Sequence, residues 1–325
     1  MLTILACFFL IIVSAWIAGA LYYDVGQSTK YGGWLVVVWV VIVCAVVFLM
    51  QPIWHAVLVI AAIFIFVLAW WFTQKPSNYR NWDPSFSKLC KIEIDDDKVL
   101  VHNLRCTEYR TLQDYDLTYE QREYRLSDLR FVDVLILFWG TSWMSHPMAI
   151  FDFGNNQHVC FSIEVRYQEG QPYNILRAIY RQYELMYVVS DERDAILRRT
   201  KYSENHDCYL YRLQKDVGQV RQLFMEYVGS TNQLVESPRW YHALTQNCTT
   251  SILSQRTEKM GFDRRMILNG SFDQFLYDRG RLYDQLPFDE LKNKSRINEA
   301  ANRAEKNGFS AAIRKDLPGF DPPKN

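Results

Sequence analysis

Residues 1–72 contain one acid, Asp24, and one base, Lys30, in a 325-residue chain that carries 36 acids and 36 lysines or arginines. Three uncharged apolar runs fill this stretch: Leu2 to Tyr22, Trp34 to Met50 and Ile53 to Phe72. A helix rises about 1.5 Å per residue, so roughly 20 apolar residues cross a hydrocarbon core ~30 Å thick. The runs therefore read as three transmembrane helices (2–22, 34–50 and 53–72). Gly32, Gly33 and Pro52 can extend the shorter middle run into the headgroup layer. Only Gln51-Pro52 separates the second run from the third, which demands a tight helical hairpin. Trp34, Trp54, Trp70 and Trp71 stand at run ends, where an aromatic belt belongs. A buried soluble core does not account for three such runs in succession. No Lys or Arg precedes the first run, so it reads as a retained span rather than a cleaved signal peptide.

Beyond residue 72 the character reverses. Thirty-five acids and 35 bases remain, in balance. That balance argues against nucleic acid as a partner, since a nucleic-acid surface needs a basic excess. Three spans put the chain ends on opposite sides of a membrane. Lys30 lies in the first loop, and Lys75, Arg80 and Lys88 follow the third span. Taken alone, that count places the large domain in the cytoplasm, by a rule that long domains obey poorly.

Residues 73–88 form a linker, with Pro76 and Pro84 breaking any helix. From residue 89 to 325 short elements alternate. Lys91–Ile94 and Val99–His102 flank an Asp95-Asp96-Asp97 turn, which lacks the spaced ligands of a calcium loop. Leu117–Arg125 alternates as a strand, and Val132–Trp139 is a buried strand or a short helix. Met148–Phe153 and Val159–Arg166 read as strands joined by the turn residues Gly154-Asn155-Asn156-Gln157. Ile175–Glu184 has a helical look, Leu185–Val189 that of a strand, and Asp191–Arg199 that of a helix capped by Ser190 or Asp191. Tyr209–Leu213 is a further strand and Val217–Glu236 a long helix. The expected class is α+β, an antiparallel sheet with helices segregated around it.

Five cysteines lie outside the apolar runs: Cys90, Cys106, Cys160, Cys208 and Cys248. None forms a C-x-x-C pair, so neither a zinc site nor a thioredoxin motif is expected, and the reading calls for no metal or cofactor. Cys90 and Cys106 flank the first hairpin, where strand register decides whether they can pair. Cys248 sits in Thr245-Gln246-Asn247-Cys248-Thr249-Thr250, ahead of a stretch that can be helical. A thiol at a helix N-terminus meets unpaired N–H groups and the positive end of the dipole, which favour thiolate and can hold an oxyanion. A buried structural cysteine would read the same way. A thiol nucleophile needs a base. His146 enters a strand, and His242, six residues from Cys248, is its rival. With the hairpin centred near Asn155, Glu164 stands nine residues beyond the centre and His146 nine before it, so a symmetric register sets them opposite one another. A carboxylate there would orient the imidazole. A one-residue slip would send it to the other face, as a surface charge. His158, beside the turn, reads as exposed. Trp139, Trp143 and Trp240 suit either an apolar mouth or the core.

Several ordered segments resemble the Lnb N-terminal periplasmic domain family of bacteria. They are Phe138-Trp139-Gly140; His146 before its strand; Ser162-Ile163-Glu164 with Arg166; Tyr183-Glu184 with Tyr187-Val188-Val189; Asp191-Glu192-Arg193-Asp194; Asn247-Cys248-Thr249-Thr250; and Phe275-Leu276-Tyr277 with Gly280. Leu286-Pro287-Phe288, Ser295-Arg296-Ile297-Asn298 and Phe309-Ser310 with Ile313-Arg314 continue the set, so the resemblance runs from about residue 90 to 320. It implies a lipoprotein N-acyltransferase-like enzyme with a Cys/His pair, which carries onto Cys248 as nucleophile and His146 as base. The order of His before Cys is also similar to permuted papain-like enzymes related to lecithin–retinol acyltransferase, which implies that fold for residues 89–325. The role of Glu164 comes from the hairpin register, not from the family.

The resemblance implies a phospholipid acyl donor, a Cys248 thioester and an amine acceptor such as a lipoprotein N-terminus. Backbone N–H groups around Cys248 and Thr249, with Asn247 beside them, would support the oxyanion. It also implies a bacterial cytoplasmic membrane, with the domain facing the periplasm against the charge count. Family relatives often place the domain after a signal peptide, whereas here three apolar runs precede it, so substrate and reaction can differ. Two other readings fit the residues: a cell-envelope cysteine peptidase or amidase, with a polar open groove, and a non-enzymatic envelope binding protein, in which Cys248→Ser is silent.

Overall fold

The computed structural model describes residues 2–26, 31–140, 144–242 and 269–320. They fall into two compact units, one of residues 1–80, 170–184 and 239–243, the other of residues 81–169, 185–238 and 244–325.

The first unit is built on α1 (Leu2–Ala20, continued by a π-turn over Leu21–Val25), α2 (Gly32–Leu49) and α3 (Ile53–Thr73). With their extensions these helices are 24, 18 and 21 residues long and apolar enough to cross a membrane. Most of their side chains face outward, and a thin seam of Leu10, Val13, Ile17, Trp39 and Ile60 joins them. Trp39 donates its indole N–H to the Ser14 carbonyl at 3.0 Å. Asp24, the only acid of the apolar region, accepts from Trp71 Nε1 at 2.9 Å and Gln182 Nε2 at 2.6 Å. A buried carboxylate left without such donors would be costly.

Residues 175–184 are not the expected helix. Among them only Arg177–Ile179 makes a single 3₁₀ turn, and Tyr180 is extended. Successive side chains are drawn to separate partners. Tyr180 hydroxyl donates to the Trp16 carbonyl, Arg181 lies 4.1 Å over the Trp71 ring, and Gln182 reaches Asp24. Such contacts outweigh a weak local preference for helix. Tyr180 packs so closely on α1 that a Cβ at Gly19 would stand 1.8 Å from its hydroxyl oxygen.

The second unit is an eight-stranded sheet clad in helices, so the α+β class holds. Its path runs β1 (Lys91–Asp95), β2 (Lys98–Arg105), β9 (Glu184–Asp191), β8 (His158–Arg166), β7 (Ser145–Asp152), β6 (Phe131–Phe138) and β10 (Asp207–Arg212), with β5 (Tyr119–Arg125) on β2. Two short strands, β3 (Glu108–Tyr109) and β4 (Tyr115–Asp116), pair separately. The sheet is mixed rather than purely antiparallel, because β2 meets β9 in parallel at Arg105 and Ser190. A buried fork fixes that junction: Arg105 donates Nε and Nη2 to Asp194 at 3.0 and 2.8 Å. Cys90 and Cys106 are both free thiols. The β1–β2 register sets Lys91 against His102, so Cys90 lies level with Asn103, three residues from Cys106. At about 3.3 Å per residue that is roughly 10 Å, too far for a disulfide.

Both sheet faces are covered, which explains why β6 is unbroken apolar sequence from Val134 to Phe138. Leu135 and Leu137 join Met148, Ile150 and Cys160 beneath α4 (Glu192–Thr200), where Ala195 and Ile196 meet Ile297, Phe309 and Ile313. Val134, Ile136 and Phe138 point the other way, against Phe272 and Phe275. Further along that second face, Phe151 packs edge-on against Phe224 and Tyr227 of α5 (Val217–Glu236), and Phe161 edge-on against Phe224 and tilted against Tyr227. An Asp216–Gln219 capping box starts α5, and Asp191 caps α4.

Candidate active site

The site begins with a turn. Gly154, Asn155 and Asn156 all have positive φ, at 74°, 50° and 60°, a conformation that glycine and asparagine tolerate best. Phe153 N–H donates to the Gln157 carbonyl and Gln157 N–H to that of Gly154, closing a tight hairpin. The ladder pairs Asp152 with His158, Ile150 with Cys160 and Met148 with Ser162. Alternation then places His158, Cys160, Ser162 and Glu164 on one face of β8, beneath α4.

At the far end of this hairpin four side chains meet. His146 Nε2 is 2.8 Å from Ser162 Oγ and 3.2 Å from Glu164 Oε1. Ser162 donates its hydroxyl proton to Glu164 Oε1, and Arg199 Nη2 donates to the same oxygen at 2.6 Å. His146 is 6% exposed. The half-exposed indole of Trp139 lies 6.0 Å from the imidazole, ring centre to ring centre.

These contacts decide the tautomer. A serine hydroxyl has one proton, and that of Ser162 is engaged by Glu164. Toward His146, both Ser162 Oγ and Glu164 Oε1 therefore present lone pairs. Nε2 must carry the ring proton, and Nδ1 is the basic nitrogen of the neutral imidazole. Burial alone would raise the Glu164 pKa, but His146, Arg199 and the Ser162 hydrogen bond outweigh it and hold the carboxyl well below its ordinary value. Glu164 is thus ionised at neutral pH, and an ionised carboxylate stabilises imidazolium once Nδ1 takes a proton.

Arg199 did not stand out in the sequence as a site residue. It lies in the last turn of α4 and braces itself by donating Nη1 to the Ala195 carbonyl at 2.9 Å. The available signal was an arginine one turn after Ala195 and Ile196, on the face that turns toward the sheet.

Cys248, Asn247 and Thr249 lie outside the described residues, as does Trp143. Among the described cysteines of the second unit none is a ready thiolate. Burial pushes the thiols of Cys90 and Cys160 far up and that of Cys208 up to about 12. Cys106 is likewise raised by burial to about 12. His242 belongs to the first unit, half-buried, with its pKa lowered by burial. In the same unit Trp240 donates its indole N–H to the Gln74 carbonyl.

His158 corrects the sequence reading. It is 6% exposed, not on the surface. The register sets it against Asp152, and the first turn of α4 covers it with Glu192, at 3.5 and 3.8 Å respectively. Burial works to lower its pKa, yet Glu192 and Asp152 outweigh burial and raise it.

Residues 115–257 match the family model described as Lnb N-terminal periplasmic domain. The match covers a shorter span than the resemblance read from about 90 to 320. It contains His146, Ser162, Glu164, Arg199 and Cys248. No curated protein and no solved structure matches the chain. Family and apolar helices together describe a membrane protein with a periplasmic domain.

Proposed function

We propose that the protein is a membrane-anchored thiol acyltransferase, multi-pass in the bacterial cytoplasmic membrane, with its catalytic domain in the periplasm. Its sheet domain would be a permuted papain-like fold. The observation that carries the reading is the fixed tautomer of His146: Nε2 is held by Ser162 and an ionised Glu164, so Nδ1 is poised to accept a proton.

In the proposed cycle the Cys248 thiol gives its proton to His146 Nδ1. The thiolate attacks an ester carbonyl of a phospholipid, and N–H groups around Cys248 and Thr249 hold the oxyanion. Collapse expels lysophospholipid, whose alkoxide takes the proton from His146. An amine, such as a lipoprotein N-terminus, then attacks the thioester. It forms an amide and returns the thiol. Splitting the transfer into two steps is what a covalent nucleophile offers. Both substrates dwell in the bilayer, so anchoring raises their effective concentration at the site.

The test is mass spectrometry of the full chain after incubation with isotope-labelled phospholipid. An acyl adduct on Cys248, lost on hydroxylamine treatment and absent from His146→Ala, is expected. A folded wild-type protein that never acquires the adduct would overturn the assignment.

A further inference from the structure

We propose that the end of the helical bundle holds the headgroup of a phospholipid, gripped between the N-terminus of α2, Arg177 and Gln182. The proposal rests on reading the three helices as membrane spans. A cavity of about 240 Å³ opens there, lined by Tyr22, Tyr23, Gly32, Gly33, Arg177 and Gln182.

One side of the cavity is built for an anion. The 18-residue α2 begins at Gly32; among the described residues no side chain caps it, and no acid lies in its first turn. Its leading N–H groups have no partner within the helix, and they sit at the positive end of its dipole. The guanidinium of Arg177, 5.9 Å over the Tyr23 ring, lines the same space. A phosphate suits both.

The other side asks for a donor. Gln182 is 6% exposed. Its amide NH₂ is committed to Asp24 Oδ1 at 2.6 Å, which fixes which way round the amide stands. The opposite atom, Oε1, is buried without a hydrogen-bond partner among the described residues. Buried carbonyl oxygens are rarely left so. One small group that joins a phosphate to a hydrogen-bond donor is the ethanolamine or glycerol headgroup of a phospholipid, whereas choline has no donor. Depth agrees: Tyr31 and Trp34, at the start of α2, are 66% and 71% exposed, as expected for an aromatic belt at the headgroup layer.

The test uses the full chain carrying Cys248→Ser, so that no acyl transfer enters the readout. Delipidated protein in detergent is titrated with phosphatidylethanolamine, phosphatidylglycerol, phosphatidylcholine and inorganic phosphate, and bound mass is read by native mass spectrometry. One phosphatidylethanolamine or phosphatidylglycerol per chain is expected, with phosphatidylcholine about tenfold weaker. Arg177→Gln should weaken all three lipids about tenfold. Gln182→Leu should bring the first two down to the level of phosphatidylcholine. Gly33→Asp guards against misfolding as the cause. A Cβ at Gly33 meets nothing within 4 Å. A carboxylate in the first turn also favours the helix, yet it competes with the phosphate. It should abolish retention while circular dichroism stays unchanged. Equal retention by all variants, no retention by any, or full displacement of lipid by inorganic phosphate would each overturn the proposal. Lipid retention without a wild-type Cys248 adduct would sink the acyltransferase reading alone, and an adduct without retention would sink this one alone.

Discussion

His146 owes its expected chemistry to a neighbour's single proton. Because Ser162 donates to Glu164, Nε2 of the imidazole must donate in turn. Replacing Glu164 by Gln keeps the shape but removes the charge and lets the amide present a donor to Nε2. Transfer to Cys248 should fall about a hundredfold or more, measured as the rate of adduct formation. Ser162→Ala leaves Glu164 3.2 Å from Nε2 and should cost only about tenfold. A Ser162→Ala loss equal to that of Glu164→Gln would show that the hydroxyl, not the carboxylate, sets the tautomer. Stability carries a second consequence. The folded pKa of Glu164 is depressed, so its contribution is present in full above the unfolded value near 4.5 and is lost as pH falls through the folded one. Glu164→Gln should therefore flatten the acid limb of a thermal-melting profile below about pH 4.5 while lowering stability at pH 7. The pairing of 146 with 164 was legible in sequence, because a tight Gly-Asn-Asn turn fixes a register and strands alternate with period two. Arg199 was not, since no local pattern says which strand residue a helix residue will meet.

At the scale of elements, the sheet's α4 face is held by buried charge as well as by apolar packing. Arg314, at the end of the helix Phe309–Arg314, bridges Asp133 of β6 at 2.9 Å and Glu192 of α4. Arg212 of β10 also donates to Asp133, at 2.9 Å. Asp133 and Glu192 are 0% and 2% exposed. Removing one member of such a network strands the others, so Arg314→Met should destabilise the full chain by roughly 3 kcal/mol, seen as a lowered melting temperature in detergent. A change within experimental scatter would mean that Arg212 alone suffices. This network, and the burial of His158 beneath α4, could not be read from sequence, which shows charges but not the lid over them. The β6 run could be read only as apolar, because strand and helix look alike when both faces are buried. Residues 175–184 misled for the opposite reason: a helical composition was overruled by three separate contacts, to Trp16, Trp71 and Asp24.

For the whole molecule, an anchor with one acid and one base and a charge-balanced domain leave electrostatics little part in attachment. A formal net charge of zero gives the domain no bulk attraction to anionic lipid. Membrane-bound protein should therefore stay in the pellet through washes at about 1 M salt, where the Debye length is ~3 Å, and leave only with detergent. Orientation is the sharper question, because two arguments oppose each other. Lys75, Arg80 and Lys88 follow the third span, whereas the positive-inside rule would keep such residues in the cytoplasm. Against that stands the match of residues 115–257 to a periplasmic domain family. Charge bias orients short loops, and more than 200 residues follow the third apolar helix, a size at which translocation proceeds largely regardless of charge. A phosphatase that matures only in the periplasm, fused after Asn325, should be active. The same phosphatase inserted at Gln51 should be inactive, because a crossing Ile53–Thr73 helix sets Gln51 and Asn325 on opposite sides; activity at both positions would mean that this helix does not cross. Activity of a cytoplasm-only reporter at Asn325 would place the His146 site on the wrong side for lipoprotein chemistry and return the charge count to favour.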